Sequence, residues 1–161
     1  MRSTTTNRIP NRRPSLCFVL DMAEVAIIRE NARIVQIDPW NRLDCDRPDN
    51  TRETDWIGEC LDELLDFAND FNVHVQVIAH PSKVDSRSRG DKPKLEDIAG
   101  SKHWDNKVDL GLCVHRPKVF ENGERKTEAD LWVLKSRFDE CGYSCKLPVN
   151  YDLVEGRFKA T

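Results

Sequence analysis

The chain has 161 residues, 39% of them apolar and 33% charged, enough to bury one domain core with little room for a second. Its 25 Lys and Arg against 28 Asp and Glu leave a net charge of −3, so no global basic field draws in nucleic acid and any such contact must be a local patch. No apolar run approaches the roughly 18 residues a membrane span needs, and Arg2, Arg8, Arg12 and Arg13 precede no apolar stretch of the secretory kind, so neither a membrane nor export is expected. Six cysteines, at 17, 45, 60, 113, 141 and 145, lack the paired spacing of a zinc site. They are expected to be reduced, mostly buried thiols of a cytoplasmic protein.

Residues 1–15 hold too few apolar side chains to offset their ordering entropy and read as a flexible tail, leaving 16–161 as the domain. From Leu16 to Glu30, Leu16, Val19, Leu20, Ala23, Ala26 and Ile27 recur at helical spacing behind Ser15 as N-cap, and Asn31 ends the helix. Residues 33–38 (RIVQID) form a short β-branched strand, expected to be buried, that closes on an acid and Pro39. The strongest helix covers 53–71, where Trp56, Ile57, Cys60, Leu61, Leu64, Leu65, Ala68 and Phe71 line one face and Glu59, Asp62, Glu63 and Asp66 the other. Thr54 or Asp55 is its expected cap. A second apolar strand over 73–79 follows after one Asn, so strand, helix and strand make a βαβ unit with a parallel pair. The polar loop 81–94 carries Lys83, Arg87, Arg89, Lys92 and Lys94 against Asp85 and Asp91. After a short polar turn, strands at 108–115, 130–136 and 145–151, with turns at Asn122-Gly123 and Cys141-Gly142, predict an antiparallel meander.

Parallel α/β sheets bind ligands at the carboxyl ends of their strands, where Asp38 and His80 fall. An acid after four strand residues fits a carboxylate that holds Mg²⁺ through water beside nucleotide phosphates. Taken alone it more commonly marks an acid that merely caps a strand, and His80 alone more commonly marks a hydrogen-bonded strand terminus. Lys135 and Arg137 stand two apart on a strand and so share a face, and a guanidinium suits charge developing on a phosphoryl group. The alternative is a solvated strand edge.

The order IVQIDPWNRLD, VIAHPSK, IAGSKHWDNKVDLGLCVHR, LWVLKSRF and VNYDLVEGRF resembles the C-terminal half of the RecA-like motor of DnaB/Twinkle-type hexameric replicative helicases (superfamily 4), in their phage and plasmid branch, over residues 16–158. The resemblance implies an α/β, partial RecA-like P-loop NTPase fold, with helices on the faces of a parallel sheet and a C-terminal antiparallel meander. It implies Asp38 as the Walker-B acid ordering Mg²⁺, His80 as the sensor of the γ-phosphate, and Lys135 and Arg137 as cations reaching a neighbouring subunit's ATP. It further implies that Arg116 and Tyr151 sandwich the base, and that the loop with Lys83, Arg87, Arg89 and Lys92 holds single-stranded DNA. Gly100, Ser101, His103, Trp104, Asn106, Lys107 and Asp109 resemble the next motif, structural or close to DNA.

No G-x-x-x-x-G-K-[ST] occurs; the seven glycines, at 58, 90, 100, 111, 123, 142 and 156, never precede Lys-Ser or Lys-Thr. In the family that phosphate loop and the catalytic Glu precede the segment starting near Leu16. The expectation is a segment of an ATP-dependent helicase, inactive alone, with a hexamer of its own or an intact homologous helicase as partner. Two alternatives are a non-catalytic module that joins or inhibits an intact hexamer, and a RecA-fold recombination or regulatory remnant. Loss of the strand beside 33–38 would leave an open apolar edge.

Overall fold

The computed structural model describes residues 13–43, 47, 49–81, 94–98, 102–116, 120–121 and 123–161. Two compact units divide at His80.

In the first unit, α1 (Leu16–Glu30) begins at Ser15, whose hydroxyl accepts from the Phe18 N–H at 3.2 Å, and ends at Asn31 in the left-handed region (φ 54°). Asparagine tolerates that conformation and so ends the helix where the pattern stops. β1 (Ile34–Ile37) follows, then a 3-10 turn at Trp40–Arg42, then α2 (Glu53–Phe71), closed by Asn72 at φ 50°. The α2 cap differs from the sequence expectation: Arg52 is the cap residue without a side-chain bond, and Thr54 and Asp55 lie inside the helix. Glu53 and Asp55 still place negative charge in the first turn, where the helix dipole favours it. Ile57, Gly58, Cys60, Leu61, Leu64 and Phe67 are the buried side of α2, and the Phe67 and Phe71 rings sit 4.7 Å apart.

β2 (His74–Val77) pairs with β1 in parallel, Ile34 opposite His74 through Ile37 opposite Val77. This is the βαβ unit read from the sequence, with α2 packed on β2 and α1 on α2. β1 is not buried on both faces: Val35 and Ile37 are buried, whereas Ile34 is 64% exposed, the alternation of a strand covered on one side. Among the described residues β1 and β2 have only each other as ladder partners, so each keeps one open edge.

In the second unit, a 3-10 turn at Leu95–Asp97 packs on the five-residue helix α3 (His103–Lys107), where the sequence suggested only a polar turn. Val108 closes α3, its N–H reaching the Trp104 carbonyl at 3.3 Å, so the next strand starts later than expected. β3 (Leu110–His115), the small hairpin β4 (Phe120–Glu121) and β5 (Glu124–Arg125), β6 (Glu128–Ser136), β7 (Cys145–Asp152) and β8 (Arg157–Ala160) complete the chain. The hairpin bends at Gly123 (φ 83°). β3, β6, β7 and β8 lie side by side in that order, all antiparallel, with an irregularity between Gly111 and Leu112. β6 is thus an interior strand from Asp130 to Val133, whereas Lys135, beyond the β7 pairing, has a ladder partner only in Gly111 of β3. Trp104, Leu95 and Ala129 are buried in this unit.

Candidate nucleotide site

Asp38 directly follows β1 and His80 lies three residues beyond β2, so both stand at the carboxyl edge of one parallel pair. The ladder continues past the strands: the Ile78 N–H donates to the Ile37 carbonyl at 2.9 Å, and the Trp40 N–H to the Ile78 carbonyl at 2.8 Å. Asp38 lies in sequence between the Ile37 and Trp40 ends of those two bonds and is exposed, with a cis peptide to Pro39. Trp40 is buried and fastens the turn, and the Asn41 side-chain oxygen accepts from the His80 N–H at 3.4 Å. Sequence reasoning did not single out Trp40 or Asn41 as functional. Their signal was only adjacency to Asp-Pro.

Lys135 lies on β6 and Arg137 one residue past its end, yet both side chains reach the carbonyl end of α3. Lys135 donates to the Asp105 carbonyl; Arg137 Nη2 donates to the carbonyls of Asn106 (2.8 Å) and Lys107 (3.0 Å). Arg137 Nη1 also pairs with Asp109 at 2.8 Å, and its backbone N–H donates to the Asp109 carbonyl at 2.8 Å. A helix end leaves four carbonyls without helical partners. Here Val108 takes one and the two cations take the other three, the sign of charge this end attracts.

Arg116 and Tyr151 gather at the opposite end of β6. The Arg116 guanidinium donates to the Lys126 carbonyl at 2.7 Å, and the Tyr151 N–H to the Thr127 carbonyl at 2.9 Å. Arg116 Nε is buried without a hydrogen-bond partner, and Tyr151 packs edge-on against Phe158 at 5.0 Å. Most of the length of β6 separates this pair from Lys135 and Arg137, about 25 Å at ~3.3 Å per residue.

No protein-family model matches the chain. A curated relative does: it is 33% identical over 145 residues to the Twinkle homolog protein, chloroplastic/mitochondrial, of Arabidopsis thaliana, across 90% of this chain and 20% of that protein. Among solved structures, an isolated ATPase domain matches with a TM-score of 0.74 at 18% identity, over 92% of this chain and 52% of that one. A DnaB-like replicative helicase, described with its interactions with primase, matches at 0.72 and 18%, over 90% and 34%. In sequence and fold the chain resembles the RecA-like motor of DnaB/Twinkle-type helicases. It spans a fifth of the Twinkle homologue and about half of the matching ATPase domain, and its fold is the RecA-like α/β fold of DnaB-like ATPase domains.

For a chain with this resemblance, Asp38 offers a hard oxygen donor of the kind Mg²⁺ takes while keeping most of its waters. No cluster of three or more His, Cys, Asp or Glu occurs among the described residues. A single exposed carboxylate of this kind fits the ion as one of its oxygen donors. The expected DNA-contact residues Lys83, Arg87, Arg89 and Lys92 lie outside the described residues, as do Gly100, Ser101, Cys45 and positions 1–12 of the expected tail. Of the five described cysteines Cys60 alone is buried, which corrects the expectation of mostly buried thiols. No described helix is long and apolar enough to cross a membrane.

Proposed function

We propose that the chain supplies the magnesium-ordering, phosphate-sensing and across-the-seam part of an ATP-driven replicative helicase, and that it hydrolyses no ATP without a phosphate loop from elsewhere. The observation that carries this reading is Asp38 and His80 together on the carboxyl edge of adjacent parallel strands, in a chain related to Twinkle. In a parallel sheet this edge is where phosphates are handled.

In this reading Asp38 would help hold Mg²⁺, and the bound ion would supply charge neutralisation for the phosphates. His80, tied to the turn through Asn41, faces the same edge and reports the terminal phosphate. Arg116 and Tyr151 offer a guanidinium plane and a ring to a base. Lys135 and Arg137 act on a neighbour's nucleotide in a hexameric ring or an intact homologous helicase. The length of β6 supports this division, because one nucleotide does not bridge both of its ends. Lys83, Arg87, Arg89 and Lys92 hold the backbone of single-stranded DNA. The exposed thiols of Cys17 and Cys141 suit a reducing compartment such as the cytoplasm.

The test titrates the chain into the Arabidopsis Twinkle homologue and follows DNA-stimulated ATP hydrolysis. The expected result is a saturable change that Arg137→Ala removes, with no hydrolysis by the chain alone. Hydrolysis by the chain alone, or an unchanged rate in the mixture, overturns the reading.

A further inference from the structure

Lys135 and Arg137 are long side chains, and fixing their ends from solution costs rotamer freedom. The second unit fixes them in advance. Asp109 grips Arg137 twice, side chain to guanidinium at 2.8 Å and carbonyl to backbone N–H at 2.8 Å, while α3 offers its last carbonyls to both cations. The Arg137 and Asp109 side chains remain 39% and 49% exposed, so this is a surface bracket and not a buried ion pair. A guanidinium has five N–H donors. These contacts engage three, leaving two for an incoming oxygen anion.

We propose that Asp109 is a positioning residue for Arg137, setting the direction in which the guanidinium meets a phosphoryl group. The inference rests on the reading above that Arg137 acts across a subunit seam. Its chemistry follows from the bracket. An Asp109 carboxylate holds one edge of the planar guanidinium by a charge-assisted bond, and the α3 carbonyls hold a second nitrogen, so the plane cannot turn without breaking both. Two anchors fix a plane where one would leave it swivelling. Asp109 follows α3 by two residues, so one short stretch of chain supplies both anchors.

The test mixes the full chain with the Twinkle homologue whose own counterpart of Arg137 is alanine, and measures kcat and KM for ATP. The unaltered chain is expected to restore hydrolysis. Asp109→Asn is expected to lower the restored kcat by roughly ten- to hundredfold, the effect of a small misplacement of a reacting group, with KM for ATP unchanged, and Asp109→Glu to recover most of it. The variants' circular-dichroism melts and their affinity for the homologue should match the parent's. If Asp109→Asn restores hydrolysis as well as the parent or better, the positioning role is overturned and the across-the-seam reading survives. If the unaltered chain restores nothing and Arg137→Ala makes no difference, the reading itself falls.

Discussion

Gly111 begins the irregular part of β3, and its position is set by a neighbour. A methyl group there would stand 2.7 Å from Leu95 Cδ1 and 3.0 Å from Cδ2, closer than real side chains approach. Leu95 is buried, so it has limited room to yield. Gly111→Ala is therefore expected to cost about 1–3 kcal/mol, the range for an overfilled core. The same change made on Leu95→Ala should cost little, a coupling that denaturant melts of the four variants measure. Trp40 offers the opposite case. Its buried ring fastens the turn carrying Asp38, so Trp40→Ala should cost about 3–5 kcal/mol. Asn41→Ala, at an exposed site with a 3.4 Å bond, should stay near 0.5 kcal/mol. Equal midpoint shifts for the two would remove Trp40 as the anchor. The polar candidates (Asp38, His80, Lys135, Arg137) stood out in the sequence because strand ends and motif order mark them. Their supports were not. Trp40 looks like any core aromatic, and Asp109 becomes a partner of Arg137 only when β3 and β6 pair.

At the level of elements, periodicity located α1 and α2 to the residue, and the parallel β1–β2 pair followed from one Asn between helix and strand. α3 escaped because five residues are too few to show a helical period. β8 (Arg-Phe-Lys-Ala) escaped because four exposed residues carry little apolar signal, and pairing with β7 decides its conformation. What holds that last hairpin is Asp152 at its turn. Its carboxylate accepts from Lys159 Nζ at 2.7 Å, the Glu155 N–H at 3.0 Å and the Val154 N–H at 2.8 Å. The Lys159 bond, then the two backbone donors, hold the Asp152 carboxyl below the ordinary aspartate value. A folded value lowered in this way gives stability that is complete above the unfolded value, near 3.9, and is lost as pH falls through the lower folded one. Asp152→Asn should therefore flatten the acid limb of the melting curve below about pH 4 while changing the neutral melt less. Parallel acid limbs for parent and variant would show that the hairpin draws nothing from this charge.

For the molecule as a whole, the telling feature is a helix that is apolar on two sides. α1 turns Leu16 and Leu20 inward, but Phe18, Met22, Val25 and Ile28, spaced along the other side, are 41% to 68% exposed. Helices with apolar residues all round are ordinarily covered all round, and contiguous exposed apolar surface is an association hazard in a soluble chain. A net charge of only −3 gives weak long-range repulsion to oppose it. Among the described residues the outer edges of β1 and β2 have no ladder partner, which adds unpaired backbone groups in the same unit. The chain is thus expected to associate as concentration rises. Met22→Lys with Val25→Lys should weaken that association in sedimentation velocity, since two positive charges must then be desolvated at the contact. Both sites are exposed, and both new residues favour helix, so the thermal midpoint at high dilution should move little. If the double variant associates as strongly as the parent, the contact lies elsewhere, and the strand edges become its source. Met22 and Val25 separate the two origins because they change side chains on α1 and leave every backbone group of β1 and β2 as it was.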